Sequence, residues 1–200
     1  MTPFQKFLKR GFDLLFALLL LPIAIPIILV AWVIATLETG TNGFFIQTRI
    51  GKKGKPFKII KIRTMYPVGG IKITIANDRR ITRSGRFFRK YKIDELPQIF
   101  NVLKGEMSFV GPRPEVPGYA DRLEGEDRII LEILPGITGP ATLKYRRQEE
   151  ILAQMENPQW YHDNVIWWDK VKINREYIQN WSLWKDLYYI FKTIFTKTDY

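Results

Sequence analysis

The stretch "LLFALLLLPIAIPIILVAWVIATL", from Leu14 to Leu37, decides how this chain is organised. It contains no charged residue, and Thr36 is its one polar side chain. A straight helix of this length would measure about 36 Å, which exceeds the hydrocarbon thickness of about 30 Å in a typical bilayer. The run is too long for the apolar core of a signal peptide, and no small-x-small cleavage site follows it. The stretch therefore predicts a membrane segment that stays in the protein.

Two prolines, Pro22 and Pro26, lie near the middle of this segment. Each lacks a backbone N–H and clashes with the carbonyl four residues earlier, so we expect the helix to break there. The arms on either side would measure about 12 Å and about 16 Å, so each reaches about half-way through the bilayer. This pattern favours a re-entrant helix-break-helix hairpin over residues 1–40. A single span with a kink is the alternative, because membrane helices tolerate proline.

The charges on both sides of the segment also favour the hairpin. Lys6, Lys9 and Arg10 precede it, and between Glu38 and Asp78 the chain carries basic residues and no acidic ones. Basic flanks of membrane segments remain in the cytoplasm, so both termini are predicted to be cytoplasmic. A single span would have to place one basic flank outside.

The whole chain is strongly basic, with 31 Lys and Arg against 20 Asp and Glu and a formal charge of +11 over 200 residues. Such an excess indicates a polyanionic partner, which could be nucleic acid, anionic lipid or a phosphorylated substrate. Cysteine is absent, which excludes disulfides and thiolate chemistry. His162 is the single histidine, so a histidine metal cluster and a Ser-His-Asp triad are disfavoured, and we interpret His162 as a packing residue.

Residues 41–200 predict a mainly α-helical domain with one small β-hairpin. Alternating apolar residues on both sides of the turn at Gly51–Gly54 predict the hairpin. The last helix carries apolar and aromatic residues at spacings of three and four, namely Trp181, Trp184, Leu187, Tyr188, Phe191, Ile194 and Phe195. Tryptophan on such a face favours an amphipathic helix at a membrane interface. A helix that faces the protein core is the alternative.

The stretch "KYKIDELPQIF", from Lys90 to Phe100, places two adjacent acids, Asp94 and Glu95, at the predicted start of a helix. Such acids ordinarily compensate the helix dipole. Here, however, they follow a crowd of cations: Arg79, Arg80, Arg83, Arg86, Arg89, Lys90 and Lys92. We expect these cations to lower both carboxyl pKa values. An ionised aspartate can attack phosphorus, and a neighbouring glutamate can hold Mg²⁺ against substrate phosphates. The cluster indicates phosphoryl transfer from an anionic donor.

The longer stretch "GRFFRKYKIDELPQIFNVLKGEMSFVGPRPE", residues 85–115, resembles the bacterial sugar transferase family of small monotopic phosphoglycosyl transferases. The motifs "GKPFKIIKIRTM", "PGITGP" and "NWSLWKDL" extend this resemblance over nearly the whole chain. The resemblance implies transfer of a sugar-1-phosphate from a UDP-sugar to undecaprenyl phosphate at the cytoplasmic face of the bacterial inner membrane, with release of UMP. It also implies a minimal catalytic unit without a further N-terminal membrane domain.

By this resemblance, Asp94 is the nucleophile that forms a covalent phosphosugar intermediate, and Glu95 is its partner, linked to Mg²⁺. Both acids are candidate metal ligands. The resemblance implies that basic residues bind the substrate phosphates; our candidates are Arg113, Arg89, Lys61, Arg86 and Arg79. Lys61 could instead contact anionic lipid, and Arg146 and Arg147 receive no role.

Two positions depart from the family pattern. Leu21 precedes Pro22 at the expected break, where the family often has serine. Asn174 stands where the family often has aspartate, so any role of that acid is lost or passes elsewhere, with Asp169 as the candidate.

The main alternative function is a membrane-tethered basic protein that binds nucleic acid or anionic lipid. That interpretation explains the charge and the apolar segment. It leaves the acidic pair among arginines, and Arg113 between two prolines, without a purpose. We therefore expect phosphorylated substrates and membrane lipid as partners, and no nucleic acid.

Overall fold

The computed structural model describes residues 1–67 and 78–195. The α-helices are α1 (Pro3–Thr39), α2 (Arg83–Lys90), α3 (Gln98–Lys104), α4 (Pro140–Lys144), α5 (Gln148–Ala153), α6 (Pro158–Tyr161), α7 (Trp167–Gln179) and α8 (Leu183–Phe195). The strands are β1 (Phe44–Ile50), β2 (Pro56–Ile62), β3 (Ser108–Val110) and β4 (Gly136–Thr138). The predicted class, mainly helical with a small hairpin, is confirmed.

Helix α1 is 37 residues long and has well-formed ends. Thr2 caps its start in a reciprocal pair of hydrogen bonds with Gln5, and Gly40 ends it in the left-handed conformation that glycine adopts at little cost. The helix continues through Pro22 and Pro26. The predicted loss of helical backbone at these prolines is therefore wrong. The fixed φ angle of proline is itself helical, and the flanking residues keep their turns.

The two faces of α1 differ in the size of their side chains. The face that packs against the rest of the protein carries small residues, among them Ala17, Ala24, Ala31 and Ala35. The exposed face carries large apolar residues, namely Leu15, Leu18, Leu19, Ile23, Ile25, Ile27, Leu29, Val30, Val33, Ile34 and Leu37. By length and composition α1 could cross a membrane, and only 22% of its most apolar window is buried. A core helix of a soluble protein would be mostly buried.

Both ends of α1 bind the same domain. Near the start, Arg10 donates hydrogen bonds to the carbonyl oxygens of Val102 and Leu103 at 2.7 and 3.2 Å, at the end of α3. Near the other end, the Glu38 carboxylate accepts the backbone N–H of Arg83 at 2.9 Å and that of Ser84 at 3.2 Å, at the start of α2. Helices α2 and α3 follow one another in the chain, so α1 is fixed to one body at both ends.

A buried polar network joins α1 to the C-terminal helices. The carboxylate of Asp186 in α8 is fully buried and accepts from Lys9 at 2.6 Å, from Tyr177 at 2.5 Å and from Trp181 at 3.1 Å. One turn along α1 from Lys9, the Asp13 carboxylate accepts hydrogen bonds from the Ser108 hydroxyl and from the backbone N–H of Phe109, at the start of β3. These contacts explain why Lys9 and Asp13 of α1 and Asp186 of α8 are polar although they are buried.

Helix α8 has the opposite pattern of burial from a helix in a protein core, because its apolar face is exposed. Its polar residue Asp186 is buried, while Trp184, Tyr188, Phe191 and Ile194 are more than half exposed, at 81%, 53%, 57% and 64%. The core-facing alternative for this apolar-aromatic face is therefore wrong for these residues. The prediction that Trp181 belongs to this exposed face is wrong, because Trp181 is buried and donates a hydrogen bond to Asp186.

The hairpin pairs β1 with β2 in an antiparallel register, as predicted. A second pair, β3 with β4, is parallel and was not predicted, because short strands within Gly- and Pro-rich segments resemble loops. Three glycines permit this pair. A Cβ atom at Gly136 would lie 2.1 Å from the backbone nitrogen of Gly111, and one at Gly139 would lie 2.5 Å from the Gly111 oxygen.

Candidate active site

The acidic pair lies in a tight turn between α2 and α3. Lys92 adopts a left-handed backbone conformation with a φ angle of 57°, and a single 3₁₀ turn, Ile93–Glu95, follows it. Helix α3 begins only at Gln98, after Pro97. The prediction that these acids begin an α-helix is therefore wrong. Their ordinary role, compensation of a helix dipole, does not apply here. The non-glycine residue at positive φ is a strained feature of the kind found at functional sites.

Glu95 is the acid that the cations hold. It is 7% exposed, and its Oε1 atom accepts from Lys61 Nζ at 2.9 Å and from Arg113 Nη2 at 2.6 Å. Burial alone would raise the pKa of this carboxyl, but the charges of Arg113 and Lys61 outweigh burial and hold the pKa well below its usual value. Glu95 is therefore ionised and fixes two cations beside Asp94.

Asp94 differs from its neighbour. It is 9% exposed, and its Oδ1 atom has no hydrogen-bond partner within the described residues. Burial and the negative charge of Glu95 raise the Asp94 pKa to about 6, although Lys61, Lys92 and Arg89 act in the opposite direction. The expectation that both pKa values are lowered is thus wrong for Asp94, because burial and the charge of Glu95 outweigh the effect of the nearby cations on its pKa. At neutral pH Asp94 is still mainly ionised, with one oxygen atom unpaired.

The loop that carries Arg113 is fixed on both sides. The carbonyl oxygen of Pro112 accepts from the backbone N–H of Gly136 at 2.8 Å, and that of Pro114 accepts from Arg49 at 3.1 Å. The Glu115 carbonyl accepts from the N–H of Ile50 at 2.9 Å. The parallel strand pair and the hairpin therefore hold this loop rigidly, and Arg113 reaches Glu95 from a preorganised backbone.

A cavity of about 1240 Å³ opens at the acidic pair. All the residues that the sequence assigned to the site line it, namely Asp94, Glu95, Arg113, Arg89, Lys61, Arg86 and Arg79. Arg89 lies 3.3 Å from the Glu149 carboxylate at the rim of this cavity. The structure therefore brings together residues that are spread over 53 positions of sequence, from Lys61 to Arg113.

The lining of the cavity combines charged and apolar side chains. Phe16, Leu20, Ile23 and Ile27 of α1 line the apolar part, together with Ile190 and Ile194 of α8. Arginines of α2 and of the segment after α4 also line the cavity. Such a cavity suits a ligand with an anionic group and a hydrocarbon chain, or two ligands that meet at the acids.

Three further residues line this cavity. They are Lys170, which the sequence analysis missed, Arg146, to which it assigned no role, and Asn174, which it noted only as a departure from the family pattern. Arg146 binds the Thr193 carbonyl at 3.0 Å, and its Nη1 atom has no partner among the described residues. Lys170 and Asn174 are buried on one face of α7, four residues apart. The spacing of four between Lys170 and Asn174 places them on one face of α7, but the sequence does not show that this face turns toward the cavity. Asp169, the expected substitute for an acid at position 174, does not line the cavity and binds Lys144 and Tyr145 instead.

His162 is buried in the cavity wall and packs edge-on against Tyr119, with its Nδ1 atom 2.8 Å from Asp163. These contacts confirm the interpretation of His162 as a packing residue. Arg147 pairs with Glu150 on the surface at 2.9 Å.

The described residues contain no group of three or more His, Cys, Asp or Glu side chains that would hold a metal ion by themselves. Mg²⁺ needs fewer protein ligands, since one or two carboxylates and the phosphates of a substrate suffice. The unpaired Oδ1 of Asp94 and the adjacent ionised Glu95 provide such ligands. The residues therefore fit Mg²⁺ only together with a phosphorylated ligand.

The fold and the cavity define a helical protein with an outward-facing apolar helix and an amphipathic cavity built around two acids. The family model described as bacterial sugar transferase matches residues 4–199, and the chain belongs to this family. It is 36% identical over 201 residues to a UDP-N-acetylgalactosamine-undecaprenyl-phosphate N-acetylgalactosaminephosphotransferase of Aeromonas hydrophila, covering 98% of this chain and 44% of the relative.

Other relatives carry names of the same kind. A UDP-glucose:undecaprenyl-phosphate glucose-1-phosphate transferase of Escherichia coli K12 is 35% identical over 96% of this chain and 40% of its own length. A protein of Bacillus subtilis named as a putative undecaprenyl-phosphate N-acetylgalactosaminyl 1-phosphate transferase is 44% identical over 66% of this chain and 71% of its own length. The chain thus spans less than half the length of the first and second of these three relatives.

Proposed function

We propose that this chain transfers a sugar-1-phosphate from a UDP-sugar to undecaprenyl phosphate, starting the assembly of a glycoconjugate. One observation carries the proposal: Asp94 has a buried carboxylate oxygen without a partner among the described residues, beside two cations that Glu95 holds, in a cavity lined by both charged and apolar side chains. The charged side chains suit the diphosphate of a nucleotide sugar, and the apolar side chains suit a polyprenyl chain. The names of the relatives support both substrates.

The proposed reaction has two displacements at one phosphorus atom. In the first, a carboxylate oxygen of Asp94 attacks the sugar-bearing phosphorus, the bond to the bridging oxygen breaks, and UMP leaves with the electron pair. In the second, a phosphate oxygen of undecaprenyl phosphate attacks the same phosphorus and releases the Asp94 carboxylate. The product is undecaprenyl diphosphate sugar. No oxidant or further reactant is needed.

The cations of the site have separate tasks in this scheme. Lys61 and Arg113, fixed by Glu95, stabilise the negative charge that spreads over the phosphoryl oxygens in the transition state. Arg89, Arg86 and Arg79 hold the departing nucleotide. A bound Mg²⁺, held by Asp94 and Glu95 with the substrate phosphates, would neutralise charge on the diphosphate. Burial removes water from around Asp94, which leaves its carboxylate reactive toward phosphorus.

We further propose that residues 1–40 enter and leave the membrane on the cytoplasmic side of the bacterial inner membrane, with residues 41–200 as the catalytic domain. The contacts of Arg10 and Glu38 with one domain support this, because a spanning helix would separate them by about 30 Å of hydrocarbon. Pro22 and Pro26 would bend α1 without ending it, as prolines do in membrane helices.

The purified protein, incubated with undecaprenyl phosphate, Mg²⁺ and each of a panel of UDP-sugars, tests the reaction. We expect UMP release with at least one donor, and a lipid product that carries the sugar and both phosphates. Release of UMP should stop when EDTA is added. A protein that releases no UMP from any donor, or that retains duplex DNA in a salt-sensitive manner without turnover, would favour the binding function instead.

A further inference from the structure

Four buried polar atoms in the wall of the cavity have no hydrogen-bond partner within the described residues. They are Asp94 Oδ1, Thr142 Oγ1, Arg146 Nη1 and Asn174 Oδ1. Buried polar groups in native proteins are almost always paired, because an unpaired one costs about 1 to 3 kcal/mol. Asp94 is explained by the proposed reaction. The other three face the same space from α4, the segment after it and α7.

Asn174 is the most constrained of these residues. It is 5% exposed, and it shares one face of α7 with Trp167 and Lys170 at helical spacings of seven and four residues. All three line the cavity. Its amide oxygen accepts hydrogen bonds, whereas the ammonium of Lys170 only donates them. A ligand group placed between the two must both donate and accept, as a hydroxyl group or an acetamido group does.

The position of this face relative to the acids indicates which part of a donor it meets. Lys170 Nζ lies 3.8 Å from a carboxylate oxygen of Glu115, and Glu115 is two residues from Arg113, whose guanidinium lies 2.6 Å from Glu95. Lys170 and Arg113 both interact with the charge of Glu115, so the α7 face approaches the proposed phosphoryl site. In a nucleoside diphosphate sugar, one oxygen joins the sugar to the transferred phosphorus. The base is separated from that phosphorus by a second phosphate and a ribose.

We propose that Trp167, Lys170 and Asn174 bind the glycosyl group of the donor, and that Asn174 helps to determine which sugar is accepted. This inference rests on the proposed function. Lys170 donates to a ring substituent of the sugar, and the same substituent or its neighbour donates to Asn174 Oδ1. The indole ring of Trp167 offers an apolar surface to the sugar ring.

The test compares the parent with Asn174→Ala and Asn174→Asp, with Asn164→Ala as the matched control. Asn164 is exposed and binds the Trp160 carbonyl in its own helix. For each protein, kcat/KM is measured with UDP-galactose, UDP-glucose and their N-acetylated amino-sugar counterparts, and inhibition is measured with UDP. In Asn174→Ala we expect kcat/KM for the preferred donor to fall about tenfold to a hundredfold, with a changed order of donors. The inhibition constant of UDP should remain within about twofold.

Asn174→Asp keeps an acceptor oxygen, so it should retain more of the rate than Asn174→Ala, while the control should match the parent. Equal weakening of UDP inhibition would assign Asn174 to the nucleotide and overturn the proposal. Unchanged kcat/KM with every donor would also overturn it, as would a uniform loss accompanied by a lower melting temperature. If the parent itself releases no UMP from any donor, the proposed function fails, and this inference fails with it.

Discussion

Asp94 and Glu95 are adjacent in the chain, yet the fold gives them opposite environments. Glu95 binds Lys61 and Arg113 through one oxygen, whereas Asp94 is buried and its Oδ1 atom has no partner within the part of the chain that the structure describes. Two carboxylates with diverging pKa values are a common arrangement where one acts on the substrate and the other organises the site. In this site Asp94 would react and Glu95 would position the cations.

Replacing Asp94 with asparagine should abolish turnover. The amide has nearly the same shape but cannot attack phosphorus, so UMP release should fall by roughly a thousandfold or more. The variant should be at least as stable as the parent, because asparagine removes a buried charge. Thermal unfolding and UMP release measure the two effects. Full UMP release by a folded Asp94→Asn protein would refute the nucleophile assignment.

Replacing Glu95 with glutamine should act differently. The neutral side chain no longer holds two cations, so we expect a large loss of rate together with a loss of stability of about 3 kcal/mol, the cost of leaving buried charges unpaired. The Mg²⁺ concentration needed for half-maximal rate should rise. A magnesium titration and a denaturant titration measure these changes. An unchanged magnesium dependence would move the metal role to another acid.

Among the elements, α1 and α8 depend on one buried pair. Lys9 and Asp186 lie 2.6 Å apart, 7% and 0% exposed. Lys9→Met leaves the Asp186 charge with only Tyr177 and Trp181 as donors, so stability should fall by about 3 to 5 kcal/mol. Lys6→Met is the matched control, since Lys6 is exposed on the same helix, and it should change stability by less than about 0.5 kcal/mol. Equal melting temperatures of the two variants would show that the pair does not hold α1 to α8.

The exposed face of α8 gives a prediction about the membrane. The native chain has no cysteine, so Trp184→Cys can carry a single environment-sensitive fluorophore. Trp184 is 81% exposed, and a face of this kind enters the bilayer by about 5 to 10 Å. In nanodiscs the emission should shift to the blue relative to the same label at Glu126, whose side chain is also exposed. Water-like emission from both sites would leave α8 outside the membrane.

The features that sequence could predict at this scale are those with a local pattern. Two such patterns repeat within a few residues: the alternation of apolar residues in β1 and β2, and their three- and four-residue spacing in α8. The predicted hairpin and the predicted helix are both present in the structure. The contact between Lys9 and Asp186 joins residues 177 positions apart, and no spacing indicates it. The strand β3 lies in a Gly- and Pro-rich segment, and its partner β4 exists only because glycines let two backbones approach.

The candidate site shows the same division. Cations near Asp94 in sequence, such as Arg89 in the last turn of α2, could be placed at the cavity because they lie within a few residues of Asp94. The pKa of Asp94 could not be predicted, because it depends on burial and on which of the two acids forms ion pairs with the cations. Lys170 and Asn174 reach the cavity from a distant helix, and the sequence alone does not show which face of α7 turns inward.

At the scale of the whole molecule, one domain holds both ends of an apolar helix whose large side chains face outward. Arg10 and Glu38 make these end contacts, and basic residues flank the helix on both sides. We propose that the outward face lies in lipid, and the end contacts then require that both ends remain with the domain. A helix that lies in one leaflet and returns to the same side satisfies both requirements, whereas a spanning helix breaks one set of contacts.

Single cysteines at Thr2 and at Lys53 test this topology in intact cells. Both sites should be shielded from a membrane-impermeant thiol reagent and should react after lysis, because both would lie in the cytoplasm. The double variant Pro22→Ala, Pro26→Ala straightens a helix whose apolar part is about 36 Å long, enough to cross the bilayer. Labelling at Thr2 should then rise in a fraction of molecules, limited by the contacts of Arg10 and Lys9, and activity should fall with it. Labelling of the Thr2 site in intact cells of the parent would establish a spanning helix, and the contacts of Arg10 with α3 could not then coexist with it.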